Sequence, residues 1–486
     1  MESIWQKTVE IAERKSAEGH MEREIVVIGA GMTGILTAYH LQRMGKQVAV
    51  LEAGRIAGGQ TGRTTAKITC QHGLLYHRLI GDIGFEQARL YARANQEAID
   101  FYQGMVEEHG IECDFRRLPS YLYSRRDAEL LKQEAEAAAA LGIPGEMAEV
   151  RELPFPVEGA VRFEDQAQFH PLKFIRAIAE ELEIYENTPV KKVRGNTVCF
   201  DAGEVSAQKV IFATHFPIIN FPGLYFARQH QERSYVLALS GCGSLEGMYY
   251  GVDSDGLSFR SVGDLLLLGG NSHRTGRSVP GGAYAGLEET ARRYFRDCRV
   301  VGRWSAQDCM PHDGIPFVGR YSCLMRNQNS AENRDCAGDG GWGREVSGHQ
   351  RESISGGREW YLATGYKKWG MTSAMAASRL LADLASGREN EYEKVFTPQR
   401  CHLKAAAGNF AADMAESAKG LAKGWLFPWK RRKGTEERSW TRCSHLGCRL
   451  EWNPDEDSWD CPCHGSRYDR NGNRLDEPAK CGLRRQ

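Results

Sequence analysis

The 486-residue chain has no excess of charge of either sign, with 63 Lys and Arg against 63 Asp and Glu. A balanced chain has no global field drawing it to nucleic acid or to an anionic membrane, so neither is expected as a partner. Long hydrophobic runs are also missing. The longest, LLLLGG after Asp264, falls far short of the roughly 20 apolar residues of a spanning helix. The opening stretch, MESIWQKTVEIAERKSAEGH, has no apolar core of the secretory kind. A soluble, cytoplasmic protein is expected. A disulfide framework is absent as well: nine of the 14 cysteines (positions 70, 113, 199, 242, 298, 309, 323, 336 and 401) stand singly, which reads as reduced thiols. The other five crowd into the last 44 residues.

At this length two or three domains are expected. Residues 24–52 read as a βαβ unit: the apolar strand IVVIGAG, the helix MTGILTAYHLQRMG and the second strand QVAVLEAG. Residues 83–141 are charged, alanine-rich and helical in period, and 185–285 turn to short strands broken by glycine. This order predicts an α/β fold with an interleaved, antiparallel sheet for substrate. The polar stretch 323–358 reads as a disordered insertion. WYLATGYKKWGMTSAMAASRLLADLASG then resumes with a strand, a glycine turn and a helix. The segment LKAAAGNFAADMAESAKGLAKGWLFPW predicts an amphipathic helix before the basic run 430–433. Such a helix can lie on a membrane, but its polar face is not particularly basic, which favours packing against its own enzyme. The expected units are an extension 1–23, an oxidoreductase unit 24–390, a helical linker 391–438 and a tail 439–486.

G-A-G-M-T-G places Gly29, Gly31 and Gly34 between strand and helix, with Met32 and Thr33 on the first helical turn. Gly29 permits the turn, Gly31 lets the backbone approach a pyrophosphate, and Gly34 brings helix and strand together. Glu52, 23 residues after Gly29, ends the next strand, where a carboxylate can accept from ribose hydroxyls. A second match, GDGGWG at 338–343, has no strand before it and is rejected. One fingerprint in a credible context argues for a single tightly held dinucleotide. With GGQTGRTTAKIT after it, the opening resembles the FAD-dependent amine oxidoreductases of the D-amino-acid and glycine oxidase type. The resemblance implies FAD, with Gly62, Arg63, Thr64 and Thr65 approaching the flavin, backbone contacts to adenine around Val190, and a strand passing close to the cofactor at Ala213 and Thr214. It implies further contacts at Gly365, Gly370, Met371 and Thr372. It also implies hydride transfer from a carbon beside nitrogen in a small amine or amino acid. Arg260 is a candidate for a substrate carboxylate; His72 and His170 either line the cavity or are structural. No catalytic side chain is assigned.

In the tail, Cys443-x-His445 and Cys461-x-x-His464 are separated by fifteen residues. Two loops that each offer a thiolate and an imidazole suit a binuclear iron centre, although Cys₂His₂ also suits zinc. CSHLGC and CPCHGS resemble Rieske proteins. That resemblance implies a [2Fe–2S] cluster on Cys443, His445, Cys461 and His464, and a disulfide between Cys448 and Cys463. It also implies hydroxyl bonds to cluster or cysteine sulfur from Ser466 and Tyr468, and a shielding loop at Glu477-Pro478-Ala479. Much of the usual base sheet is absent, so the all-β tail reads as small and incomplete, unable to bury much surface unaided. The joint pattern resembles bacterial flavoenzymes with a C-terminal Rieske domain. It predicts an oxidoreductase that passes electrons singly through its cluster to an unidentified one-electron acceptor. The alternatives are an oxidase returning electrons to O₂ with a vestigial tail, and a non-enzymatic flavin protein with a zinc-binding tail.

Overall fold

The computed structural model describes residues 1–219, 223–277, 281–321, 359–426 and 442–483. The insertion 323–358, its rejected glycine motif and the basic run 430–433 lie outside the described residues. The apolar run EIVVI forms the end of strand Gly19–Ile28, the centre of an eight-stranded sheet. It pairs in parallel with Gly203–Phe212 on one side and with Val48–Leu51 on the other. Trp360–Thr364 and Ile184–Tyr185 extend the parallel order outward, and Phe317–Arg320 pairs antiparallel at one edge. Because both faces are covered, these strands are near-continuously apolar. Helices Met32–Arg43 and Gly370–Ala385 pack together on one face, with Phe85–Glu108 beside the second.

A nine-stranded sheet carries the second layer. Its long strands Gln229–Ser240, Leu265–Arg274 and Arg299–Pro311 are antiparallel, as expected. Two features were not anticipated. Strand Arg116–Ser124 interrupts the stretch 83–141 that had read as wholly helical, and it pairs in parallel with Met248–Gly251. Its buried residues, Ser120, Leu122, Tyr123 and Ser124, include two serines, so hydrophobicity alone does not mark it.

Residues 1–23 are no appendage. Helix Ile4–Thr8 buries Trp5, whose indole Nε1 donates to Thr64 O at 2.7 Å, while Ser3 Oγ donates to Gly62 O. The N-terminus thus props the loop expected to approach the flavin.

Helix Leu403–Leu426 joins the two halves, and its polarity is the reverse of a membrane helix. Its buried stripe is Asp413, Ser417, Gly420 and Gly424, whereas Leu403, Trp425 and Leu426 are at least 70 % exposed. Small residues face inward because the cluster loops press against them. A Cβ on Gly420 would sit 2.6 Å from Cys463 Sγ, and one on Gly424 2.4 Å from Gly447 O. Asp413 is the clasp: its carboxylate accepts from His230 Nδ1 (2.9 Å), His312 Nε2 (2.6 Å) and Arg274. These partners hold its carboxyl well below the usual carboxylate range despite burial. A depressed carboxylate stabilises the docked helix above its unfolded value near 4, and that contribution is lost as the pH falls below it. Asp413→Asn leaves Arg274 buried without its counter-charge; we expect about 3 kcal/mol lost stability at neutral pH, read by thermal melting.

The tail is a four-stranded sheet in the order Glu451–Asn453, Ser458–Asp460, Arg467–Tyr468, Arg474–Asp476. Its own buried apolar cluster is four cysteines with Leu450, Tyr468 and Ala479. So small a core cannot hold the sheet alone. The flavin-side sheet braces it: Arg233 pairs with Glu456 at 2.5 Å, Tyr235 accepts from Asn453, and Arg274 donates to the carbonyls of Pro462 (2.9 Å) and Cys463 (2.8 Å).

Candidate active site and metal centre

A cavity of about 650 Å³ opens where the parallel strands meet the fingerprint helix, within the usual range for cofactor sites. Gly29, with φ of +106°, makes the turn, and a Cβ there would strike Ala213 O at 2.5 Å. At Gly34 a Cβ would lie 1.8 Å from Gly29 O, so only glycine lets the helix start this close to the strand. Glu52 is held at the end of its strand by the backbone N–H groups of Ala30 (2.7 Å) and Gly54 (2.9 Å). Burial pushes its carboxyl upward, which those two donors partly offset.

Gly29, Gly31, Met32, Thr33, Glu52, Arg63, Thr64 and Thr65 line this cavity, with Val190, Ala213, Thr214, Gly365, Gly370 and Met371. Gly34, Gly62 and Thr372 stand behind the wall. A Cβ on Gly62 would meet Ala57 O at 2.6 Å, and Thr372 Oγ1 donates to Thr69 O at 3.0 Å. The cavity fits a dinucleotide. Gly31 opens the helix N-terminus toward it, and the buried Nε of Arg63 has no partner within the protein.

Three expected substrate-side residues are placed elsewhere. Arg260 is not in the cavity wall; its guanidinium is spent on Gln168 Oε1 (2.8 Å), Phe169 O (2.7 Å) and Thr65 O. His72 is buried between Tyr91, Thr69 and the stacked ring of Trp369, and burial drops it to about 3. His170 caps its helix at Lys173 N and packs on Trp5. Both histidines are structural.

Besides Arg63, three lysines face the cavity: Lys67, Lys367 and Lys368. Lys67 donates to Tyr249 O at 2.9 Å and to Ser258 Oγ, and burial beside Arg260 brings its ammonium down to about 7. Burial lowers Lys367 to about 8 and raises Asp308, also in the wall, to about 6. None of these carried a sequence signal, because they come from separate strands and from a turn whose Lys367 and Lys368 both have positive φ.

In the tail Cys448 and Cys463 are joined, as the Rieske resemblance implied. Cys443 and Cys461 are buried and free. The rings of His445 and His464 stand 5.1 Å apart, and each Nδ1 is buried without a hydrogen-bond partner. Two thiols and two orphaned imidazole nitrogens form a donor set that fits a His₂Cys₂ iron cluster. Tyr468 Oη lies 3.1 Å from Cys443 Sγ, and Ser466 Oγ accepts from Ala479 N at 3.0 Å, tying in the shielding loop. Phe226 of the flavin side sits edge-on to both histidine rings, at 5.9 and 5.4 Å.

Residues 24–384 match the family model for FAD dependent oxidoreductases. The chain belongs to that family. Residues 422–485 match the Rieske [2Fe-2S] domain. FAD and a [2Fe–2S] cluster are therefore the cofactors of this flavoenzyme, which sets aside the zinc and non-enzymatic alternatives. Over 522 aligned positions it is 35% identical to YhfW, a Rieske 2Fe-2S iron-sulfur protein of Bacillus subtilis (strain 168), covering 98% of this chain and 96% of that one. Its fold is similar to L-proline dehydrogenase from P. horikoshii (TM-score 0.61, 17% identity, 78% of this chain and 98% of that one). Glycine oxidase from Geobacillus kaustophilus is similar at the same TM-score of 0.61, with 15% identity, 78% of this chain and 99% of that one. No described helix is long and apolar enough to cross a membrane.

Proposed function

We propose that this oxidoreductase removes two electrons and a proton, as hydride, from the carbon beside nitrogen in a small neutral amino acid or amine, leaving an iminium ion that becomes the imine by losing an N–H proton to solvent. The electrons then go singly through its cluster to an external one-electron acceptor. When bound, FAD supplies the two-electron acceptor and the cluster the one-electron carrier. One observation carries the reading: Gln231 Nε2 donates both to His464 O, in a cluster loop (2.8 Å), and to Glu477 O, in the cavity wall (2.9 Å). The two redox sites share a boundary.

Gly31 and the helix N-terminus at Met32–Gly34 receive the pyrophosphate, Glu52 the ribose, and Arg63, Thr64 and Thr65 the ring end. Cys443, His445, Cys461 and His464 ligate the cluster. Proline and glycine, named for the two fold neighbours, support a small amino acid as substrate. Besides Cys443 and Cys461, the described residues hold eight unpaired cysteines, which suits a reducing cytoplasm.

Lys67 takes the carboxylate-binding role that Arg260 cannot fill. Loss of one charged hydrogen bond in Lys67→Met should raise KM about 10- to 100-fold with a smaller change in kcat. Because Lys67 loses its charge as the pH rises through about 7, wild-type KM should climb on the alkaline side, and the variant's should not. Anaerobic stopped-flow mixing with a panel of small amino acids tests the relay. Flavin bleaching followed by cluster reduction supports it; a bleached flavin beside a cluster that stays oxidised sinks it.

A further inference from the structure

One wall of the flavin cavity does not come from the flavin domain. Arg474, Leu475, Asp476 and Glu477 of the tail line it. They form the last strand of the Rieske sheet and the residue after it, and that strand pairs with Arg467–Tyr468, whose Tyr468 reaches Cys443 Sγ. One strand pair thus touches both a cluster ligand and the flavin cavity.

The wall is fixed from both sides. Gln231 bridges Glu477 O and His464 O. Gln307 Nε2 donates to Gly465 O at 2.9 Å, while its backbone N–H donates to Oε1 of Gln60, in the flavin loop, at 2.7 Å. Gly465 is pressed so closely on Gln231 that a Cβ would meet its side chain at 2.6 Å. Asp476 accepts from Arg467 at 2.8 Å, with Arg63 of the flavin loop adding to the field that keeps it ionised.

Leu475 is the exception in this well-tied segment. It is 49% exposed, a bulky apolar side chain between two polar neighbours, and it belongs to the cavity wall. An apolar side chain gains by being covered, and FAD is what this cavity is built to hold.

We infer that the Arg474–Glu477 segment is part of the FAD site, with Leu475 packing against the bound cofactor. Seating of the cluster domain and flavin binding then form one linked equilibrium. Whatever binds the seated form more tightly than the unseated one stabilises it by mass action, so FAD holds the tail in place and the tail slows the loss of FAD. The inference does not depend on electrons passing between the centres.

Two measurements on the full chain test it. Leu475→Ala should raise the Kd for FAD about tenfold, measured by quenching of FAD fluorescence on adding flavin-free protein. The EPR signal of the reduced cluster should be retained. An unchanged Kd with the cluster signal intact overturns the inference. The second uses wild-type protein, so it decides the matter even if the variant loses its cluster. Amide hydrogen exchange at 472–479 should slow on adding FAD to the flavin-free chain, and exchange that ignores FAD overturns the inference. Cluster reduction by substrate enters neither readout, so failure of the relay and failure of this composite site are distinguishable.

Discussion

Cys443→Ser is expected to give a protein without its cluster: in excess FAD the flavin absorption stays, and the low-temperature EPR signal of the reduced protein disappears. Cys443 is buried, its Sγ 3.1 Å from Tyr468 Oη, and it heads the loop that carries His445. Serine offers a poor ligand where thiolate is needed, and the tail's remaining apolar cluster is too small to keep the site formed without metal. Substrate should still bleach the flavin, while turnover with a one-electron acceptor falls at least about 100-fold. Activity that survives in the cluster-free protein would mean that the acceptor takes electrons from the flavin directly. EPR and steady-state assay on the same preparation decide between these outcomes.

Gly34→Ala should remove the other cofactor. The added Cβ would lie 1.8 Å from Gly29 O and 3.0 Å from Gly29 C, both backbone atoms that cannot turn aside. Helix Met32–Arg43 must move off strand Gly19–Ile28, which costs about 3 kcal/mol and misaims the N–H groups at the helix start. A loss of that size is more than about 100-fold in flavin affinity. The chain should purify colourless at 450 nm, and added FAD should bind weakly in fluorescence titration. A yellow protein with normal flavin content would contradict this account of the fingerprint.

How much of this was legible in the sequence depended on how local each determinant is. The fingerprint, Glu52 and the CxH and CxxH loops sit within short stretches where spacing fixes geometry, and the structure places them together. Gly34, Gly62 and Thr372 belong to the right loops yet stand behind the wall, because a motif marks a backbone path and not which atoms reach the ligand. Arg260 failed for a related reason: a cationic residue on a strand looks available until Gln168, Phe169 and Thr65 take its donors. Lys67 lies four residues past Arg63 and has no motif, so only the cavity reveals it. Nor could spacing show that Gln231, Gln307 and Phe226, more than 200 residues before the tail in the first case, touch the cluster loops.

The described tail sheet is small, and it is braced by the Arg233–Glu456 pair, the Asp413 clasp and a linker helix whose glycines admit the disulfide loop. A domain that folds on its neighbour gives up independent stability, and the contacts that replace that stability hold its cluster beside the flavin cavity.

The central claim is that electrons pass from flavin to cluster within one chain. It can be tested without knowing the substrate. Under anaerobic illumination with EDTA the protein's own flavin is photoreduced, and the cluster is followed by low-temperature EPR. A rhombic signal that grows in the wild type and is absent from flavin-free Gly34→Ala is the predicted result. A fully bleached flavin beside an EPR-silent cluster, in protein whose cluster dithionite still reduces, would contradict it.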